Sequence, residues 1–519
     1  MNISWGMMVT MRRLVDGSRL HFIGWGLVVG VLSGTVVATF RLCIATMLKW
    51  IQSVYMHPNL LSVGVVVGVG VLTTVIAAIL LHQEPNISGS GIPQVEGQLQ
   101  GTMEFHWWRI LWRKFVAGVL AIGSGLFLGR EGPSIQLGAA VGQGVAAGRH
   151  ESGSERRVLI AAGAAGGLAA AFNAPIAGVM FVLEEVYHNF SPLVWMSSLA
   201  SAVAADYVSM RVFGLTPVLH IAYAHSLPAN LYWHLVLLGI ILGLLGLLYN
   251  VVLLALPRWY AHIPLPRVAH GIVPLLLIIP LGFWMPRVLG GGNAVILNLG
   301  GKMPVLSALC LLFVVRFVYS MIAYGSGLPG GIFLPILTLG AVIGAIYGVA
   351  MARMGLLPRQ YVINLVIFAM AGYFAGISKA PFTAILLITE MVGNLGHLLP
   401  LAVVALVAYV TTDIFGGEPI YAALLSRMTV PDNLSRLHHP VTFEVPVFAG
   451  STLDMHQVRD FTWPSGSLLV EIRRGEHRIV PQGSAMIRAG DTLVVMTDTS
   501  RQVHVREVVG GAAAQPLAD

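Results

Sequence analysis

The sequence predicts an all-α polytopic membrane protein with a small α+β domain at its C-terminus, and three observations carry that prediction. Only 10% of the 519 residues are charged while 56% are hydrophobic, where soluble domains carry roughly 25% charge. Apolar runs long enough to span a bilayer, about 20 residues each, recur between Phe22 and Phe415, among them Phe22 to Ala38, Leu60 to Leu81 and Leu231 to Leu254. After Phe415 the pattern changes to short alternating segments, which is the period of strands.

The first apolar run follows Arg12, Arg13 and Arg19 and continues to about Phe40 with no clear small-residue cleavage pattern. It reads as a retained helix rather than a signal peptide. Its basic flank places residues 1–19 in the cytosol, and a cytosolic C-terminus then requires an even number of crossings. The net charge of +7 is dispersed over short segments such as Arg109, Arg113, Lys114, Arg156 and Arg157. Topology and lipid headgroups account for that dispersal, and no nucleic-acid partner is expected. Cys43 and Cys310, the two cysteines, each lie inside an apolar stretch, so neither a disulfide framework nor a thiolate metal cluster is expected. No cofactor is expected either.

Laid on itself, the chain shows an internal repeat. Leu128 to Gly142 overlays Gly330 to Gly344 at an offset of 202, so that Pro133 meets Pro335, Gly138 meets Gly340 and Gly142 meets Gly344. A second pair, ending in Asn-Ala-Pro175 and Lys-Ala-Pro381, recurs in the same order at a similar offset. Two ordered pairs predict a transporter-like repeat with halves at about 20–215 and 230–425 and a site near the midplane between them. The alternative is two small-residue faces used only for helix packing. The expected division is a transmembrane unit over 20–428, a polar linker over 429–440 that includes Pro431, Asp432, Asn433 and His438-His-Pro440, a domain over 441–510 and a tail over 511–519. Within the domain, Ser467 to Arg474, Gly475 to Pro481 and Gly490 to Thr497 read as three strands.

Three glycine-rich segments interrupt the apolar chain: Gly89-Ser-Gly-Ile-Pro93, Gly129-Arg-Glu-Gly-Pro133 and Gly325-Ser-Gly-Leu-Pro-Gly-Gly-Ile-Phe-Leu-Pro335. Each is expected to break a helix within the membrane and start a new one. Proline near a helix start costs no intrahelical bond, and glycines at Gly89, Gly91, Gly129, Gly132, Gly330 and Gly331 let the backbone turn. The first N–H groups of each new helix then need an acceptor. An anion suits them, because a helix N-terminus offers aligned donors and a partial positive charge. Ordinary kinks satisfied by neighbouring carbonyls are the alternative.

Glu131 stands out as a carboxylate in such a break, where an unpaired charge is costly. Arg130 beside it is the obvious structural partner. The other reading is that the carboxylate occupies the anion's place when ionised and leaves when protonated, linking proton and anion occupancy. Glu184 and Glu185 follow the apolar run Ile176 to Leu183. They stand about 100° apart on a helix, so they cannot serve one face, and a charged helix end is the plain alternative. Glu96, His106 and the pair Trp107-Trp108 read as an interface with headgroups.

These segments, in this order and spacing, resemble the CLC family of chloride channels and proton-coupled chloride antiporters over roughly residues 20 to 425, extending to Gly416-Gly-Glu-Pro-Ile-Tyr421. The resemblance implies a homodimer with one pathway per subunit, built from an inverted repeat of tilted and broken helices. It sets the hydroxyls of Ser90 and Tyr421 and the backbone N–H groups of Ile332 and Phe333 around a central chloride, with Gly89, Gly91, Pro93, Gly129, Arg130, Gly132, Pro133, Gly330 and Gly331 forming the helix starts. Glu131 becomes the gating glutamate, and Glu185 matches the internal proton-relay position of the family's antiporters. That implies chloride/proton exchange, with a passive voltage- or pH-gated chloride channel of the same fold as the alternative. Ser90 resembles the chloride-preferring members, where nitrate accumulators usually carry proline. Gln94 departs from the glutamate many members carry there. The tail resembles the TrkA-C-like part of RCK regulatory domains through residues 475–483 and Arg488-Ala-Gly-Asp-Thr-Leu-Val494, not the paired CBS module of eukaryotic relatives. This implies a prokaryotic inner-membrane protein whose tail senses a small unidentified ligand or aids dimerisation. An intramembrane hydrolase with Ser90 or Ser326 as nucleophile would need a base such as Lys114 or Lys379 within reach.

Overall fold

The computed structural model describes residues 17–149, 153–188, 190–215, 217–220, 226–301, 303–428, 440–474, 477–498 and 501–514. Arg12 and Arg13, the linker residues up to His439, and Gly475 and Glu476 of the expected middle strand lie outside these. The chain divides into two compact units, Met1–Thr429 and Val430–Asp519.

The first unit is helical: α1 Gly17–Met56, α2 Leu60–Gln83, α3 Ile92–Gln100, α4 Trp107–Gly123, α5 Glu131–Gly148, α6 Gly153–Phe172, α7 Pro175–Phe181, α8 Pro192–Phe213, α9 Trp233–Tyr260, α10 Ile272–Trp284, α11 Asn293–Gly300, α12 Leu306–Gly325, α13 Phe333–Arg353, α14 Val362–Ser378, α15 Pro381–Val392, α16 Leu398–Ile414 and α17 Ile420–Met428. Among the described residues nine helices are long and apolar enough to cross a membrane, and their outward side chains, such as Leu72, Leu244, Val251 and Leu406, are exposed. This is a multi-pass membrane protein.

The repeat read from the sequence is present in the packing. In the first half α6 is surrounded by α1, α5, α7 and α8; in the second α14 is surrounded by α9, α13, α15 and α16. Two sets of reciprocal contacts join equivalent residues. Gly129 and Gly331, which the offset of 202 pairs, form an antiparallel bridge in which each N–H donates to the other's carbonyl, at 2.7 and 2.6 Å. Glu184 accepts from the N–H groups of Phe382 and Thr383 at the start of α15, at 3.2 and 2.7 Å. Its counterpart Glu390 accepts from Ile176 and Ala177 at the start of α7, at 3.1 and 2.7 Å. Each half therefore caps a helix of the other with a carboxylate, satisfying donors that apolar surroundings would leave unpaired. Equivalent residues bonding each other in antiparallel sense are what a two-fold relation between halves produces.

The C-terminal unit holds β1 Pro440–Pro446, β2 Ser467–Arg474, β3 His477–Ile479, β4 Thr492–Asp498 and α18 Gln502–Ala514. The strands form one antiparallel sheet in the order β1-β4-β2-β3, with α18 packed on β1 and β4. Two features differ from the sequence reading. Strand β1 was not expected, because its Val-Thr-Phe-Glu-Val alternation is short and bounded by prolines. Helix α18 runs past residue 510 into the expected tail, because Ala513 is buried and its carbonyl accepts the Phe448 N–H at 2.9 Å.

Asp454 in this unit accepts the N–H groups of Gly450 at 3.0 Å and Ala489 at 2.8 Å, which hold its carboxyl below the usual carboxylate range. A lowered folded pKa contributes stability that is complete above the unfolded value, about 3.9, and is lost as pH falls through the folded value. Hydrogen exchange of the Gly450 and Ala489 amides in the full-length protein is therefore expected to quicken, beyond its intrinsic pH trend, only below about pH 4. Asp454→Asn should remove that extra step; its persistence would assign it elsewhere.

Candidate functional site

The three glycine-rich breaks meet at the centre of the membrane unit. The Gly89 N–H donates to the Gly327 carbonyl at 3.3 Å, and the Gly330 N–H to the Gly89 carbonyl at 3.0 Å. With the Gly129–Gly331 bridge, these bonds hold the starts of α3, α5 and α13 together. Gly91 sits at φ +90°, a region L side chains rarely adopt, and a Cβ there would strike the Gln136 side chain, so the first break requires glycine at that position. A buried lysine supports it: Lys114, 0% exposed, donates from Nζ to the carbonyls of Ile87 and Gly89, both at 2.8 Å. Those two bonds satisfy donors of the buried amine.

Around this junction lie the groups singled out in the sequence. Ser90 is buried, and its Oγ accepts the Ile92 N–H at 3.1 Å, leaving the hydroxyl hydrogen to point elsewhere. Tyr421, on α17, is fully buried, and its hydroxyl has no hydrogen-bond partner among the described residues. Its ring meets Phe181 edge-on at 6.0 Å, and Phe181 meets Phe333 at 5.6 Å, so α17, α7 and α13 converge. Ile332 and Phe333 open α13 and are buried; their N–H groups find no acceptor among the described residues. An unpaired donor in an apolar setting costs about 1–3 kcal/mol, so an added acceptor would be stabilised at these N–H groups.

Glu131, at the first position of α5, is 0% exposed. Its carboxylate faces its own N–H and that of Leu334, one residue past Phe333, yet neither oxygen completes a hydrogen bond. The Arg130 Nε stands 3.8 Å from Oε1, too far for a hydrogen bond. On one side a cavity of about 280 Å³ reaches Arg130 and Leu334 and is also lined by Lys49 and Asn293. Tyr421 lies within the electrostatic reach of both Glu131 and Glu185.

Glu184 and Glu185 fall in a π-helical turn, Val182–Val186, that continues α7. The structure separates their roles: Glu184 is the cross-cap described above, while Glu185, 4% exposed, points into the protein beside Glu96. Glu96 itself is 1% exposed, which corrects the headgroup-interface reading; on α3, eight of nine residues are enclosed, so no face meets lipid. Trp108, in contrast, is 52% exposed. Gln94 donates to the Ser88 carbonyl at 2.9 Å and so ties the first break to itself. Lys114 and Lys379 are engaged by backbone carbonyls and by Asp413 respectively, and neither stands as base to Ser90 or Ser326. Sequence reasoning missed Tyr324, whose hydroxyl lies beside Ser90; its place directly before Gly325-Ser-Gly was the available signal.

A multi-pass protein whose two related halves bring several helix starts and a buried carboxylate without a hydrogen bond to one point is, by class, a membrane ion-transport protein. The profile of the voltage gated chloride channel family matches residues 72–413, and that of the TrkA-C domain matches residues 442–510. The chain is 36% identical over 433 residues to the H(+)/Cl(-) exchange transporter ClcA of Vibrio parahaemolyticus, covering 80% of this chain and 91% of that one. It is 33% identical over 438 residues to ClcA of Salmonella arizonae, with 80% and 91% covered. Among solved structures it resembles a slow cyanobacterial Cl-/H+ antiporter at a TM-score of 0.73 and 32% identity, over 79% of this chain and 99% of that one. The chain belongs to the voltage gated chloride channel family.

Proposed function

We propose that this protein exchanges chloride for protons across the membrane. The single observation that carries the reading is Glu131: a fully buried carboxylate, without a hydrogen bond, set before the open N–H groups of α13. Ionised, it takes the place an anion would take at that helix start. Protonated, it loses its attraction for the donors and gives way, so chloride enters as a proton is held. Chloride then sits among the hydroxyls of Ser90 and Tyr421 and the N–H groups of Ile332 and Phe333, weakly enough to leave again. Glu185 supplies or collects the proton on the other side, with Tyr421 in the electrostatic reach of both carboxylates. Relatives named as H(+)/Cl(-) exchangers support the coupling. The same reading places the protein in the inner (plasma) membrane as a homodimer with one pathway per subunit. Its TrkA-C domain is cytosolic and binds a small regulatory ligand. No bond-making chemistry is assigned to it.

The test is proton movement in proteoliposomes driven only by an imposed chloride gradient. Uphill proton movement is expected. Chloride flux with no proton movement would make the protein a passive channel of the same fold and leave Glu185 without a transport role.

A further inference from the structure

Glu185 is almost wholly enclosed, so a proton exchanging between it and solvent must pass through another group. Two carboxylates lie in its field, Glu184 and Glu96. Glu184 already accepts two N–H groups and the Thr383 hydroxyl at the start of α15. Glu96 is less committed: its Oε1 accepts Gln100 Nε2 at 3.1 Å, and its Oε2 has no hydrogen-bond partner among the described residues. Facing the same Oε1 is His188 Nε2, at 3.9 Å, on a side chain 51% exposed. One residue type that titrates near neutral pH thus bridges solvent and a buried acid next to Glu185.

We infer that His188 and Glu96 form the solvent end of the proton route to Glu185; this rests on the exchange reading above. The imidazole takes a proton from water on Nδ1 and gives the proton on Nε2 to a Glu96 oxygen, so one proton arrives and one departs. At 3.9 Å the transfer occurs as the pair closes or through one bridging water. Glu96 then passes the proton to Glu185, and the imidazole regains its first tautomer by exchange with solvent. The charged groups around His188 are Glu96 on α3 and Glu184 on the π-turn, while Arg157 of α6 reaches the Leu99 carbonyl of the same α3. Acidic groups therefore predominate, which favours proton capture over anion approach at this point.

The experiment compares full-length protein with His188→Ala and His188→Gln in proteoliposomes under a chloride gradient, reading proton uptake across the neutral pH range with and without imidazole in the buffer. Both variants are expected to move protons about tenfold more slowly, a loss at the low end of that for a positioned proton-transfer group. Their pH profile should flatten, and imidazole should restore much of the rate to His188→Ala. Rescue by a small molecule also shows that the variant is folded. Equal proton rates in wild type and variants overturn this inference and leave the exchange reading standing. A slower rate with an unchanged pH profile and no rescue makes His188 structural and overturns it as well. No coupled proton movement in the wild type overturns both readings together.

Discussion

Replacing Glu131 by glutamine is expected to stop chloride-driven proton movement while chloride flux continues. The reason lies in what the side chain does in place. It is 0% exposed, its oxygens complete no hydrogen bond, and Arg130 stands at 3.8 Å, so little holds it except attraction to the helix-start donors. Glutamine keeps the shape, loses the charge and has no titratable proton to carry. The donors of α13 then face an anion without a competitor, and nothing on the route loads a proton beside them. The drop in proton flux should exceed about a hundredfold, the range for removing a positioned proton carrier. Radiochloride uptake and a pH-sensitive dye in the same vesicles measure the two fluxes. Coupled proton uptake persisting in Glu131→Gln would sink the proposed mechanism, because no other carboxylate lies beside Leu334 among the described residues. Loss of both fluxes would make Glu131 a structural residue of the break.

Much of the geometry of this candidate site was legible before the structure because it is made by backbone breaks, and breaks are written in glycine and proline. The overlay that pairs Gly129 with Gly331 placed together two residues that turn out to bond each other. What the overlay could not supply was the exchange of caps between Glu184 and Glu390, since Glu390 sits in an apolar helix with no motif around it. Glu96 was misread because it was grouped with His106 and Trp107-Trp108 by residue type, whereas eight of the nine residues of α3 are enclosed. Lys114 was visible but ambiguous, because a lysine in an apolar run gives no hint of which carbonyls it will meet. In the C-terminal unit β4 and β2 announced themselves by alternation, whereas β1 and the end of α18 owe their structure to partners distant in sequence. Their residues are ordinary locally and become structured by the Phe443, Val445 and Ala513 core.

Substituting valine at Gly138 is expected to prevent assembly of the membrane unit. Helices α5 and α6 cross with no side chain between them: a Cβ on Gly138 would come within 3.0 Å of the Gly163 carbonyl, and one on Gly163 equally close to the Gly138 carbonyl. Four residues on, Gly142 meets the Leu159 carbonyl in the same way. Because the obstacle is backbone on both sides, no rotamer change can relieve it, and the helices must separate. Overpacking of a core costs about 1–3 kcal/mol when side chains can yield, and here they cannot. Separation would also displace Glu131, at the start of the same α5, from the α13 donors. The yield of monodisperse protein after detergent extraction should fall more than about tenfold, the factor that a loss of 1.4 kcal/mol already gives, with Gly138→Ala intermediate. Gly148, on the same helix, has nothing within 4 Å of its Cβ position, so Gly148→Ala should extract and transport as wild type does. The two-fold counterpart, Gly340, faces the Ala369 carbonyl at 2.7 Å from the Cβ position, and Gly340→Val should fail in the same assay. If Gly138→Val instead yields stable, coupled transporter, α5 has room to move, and the close helix contact is not what fixes Glu131 before the α13 donors.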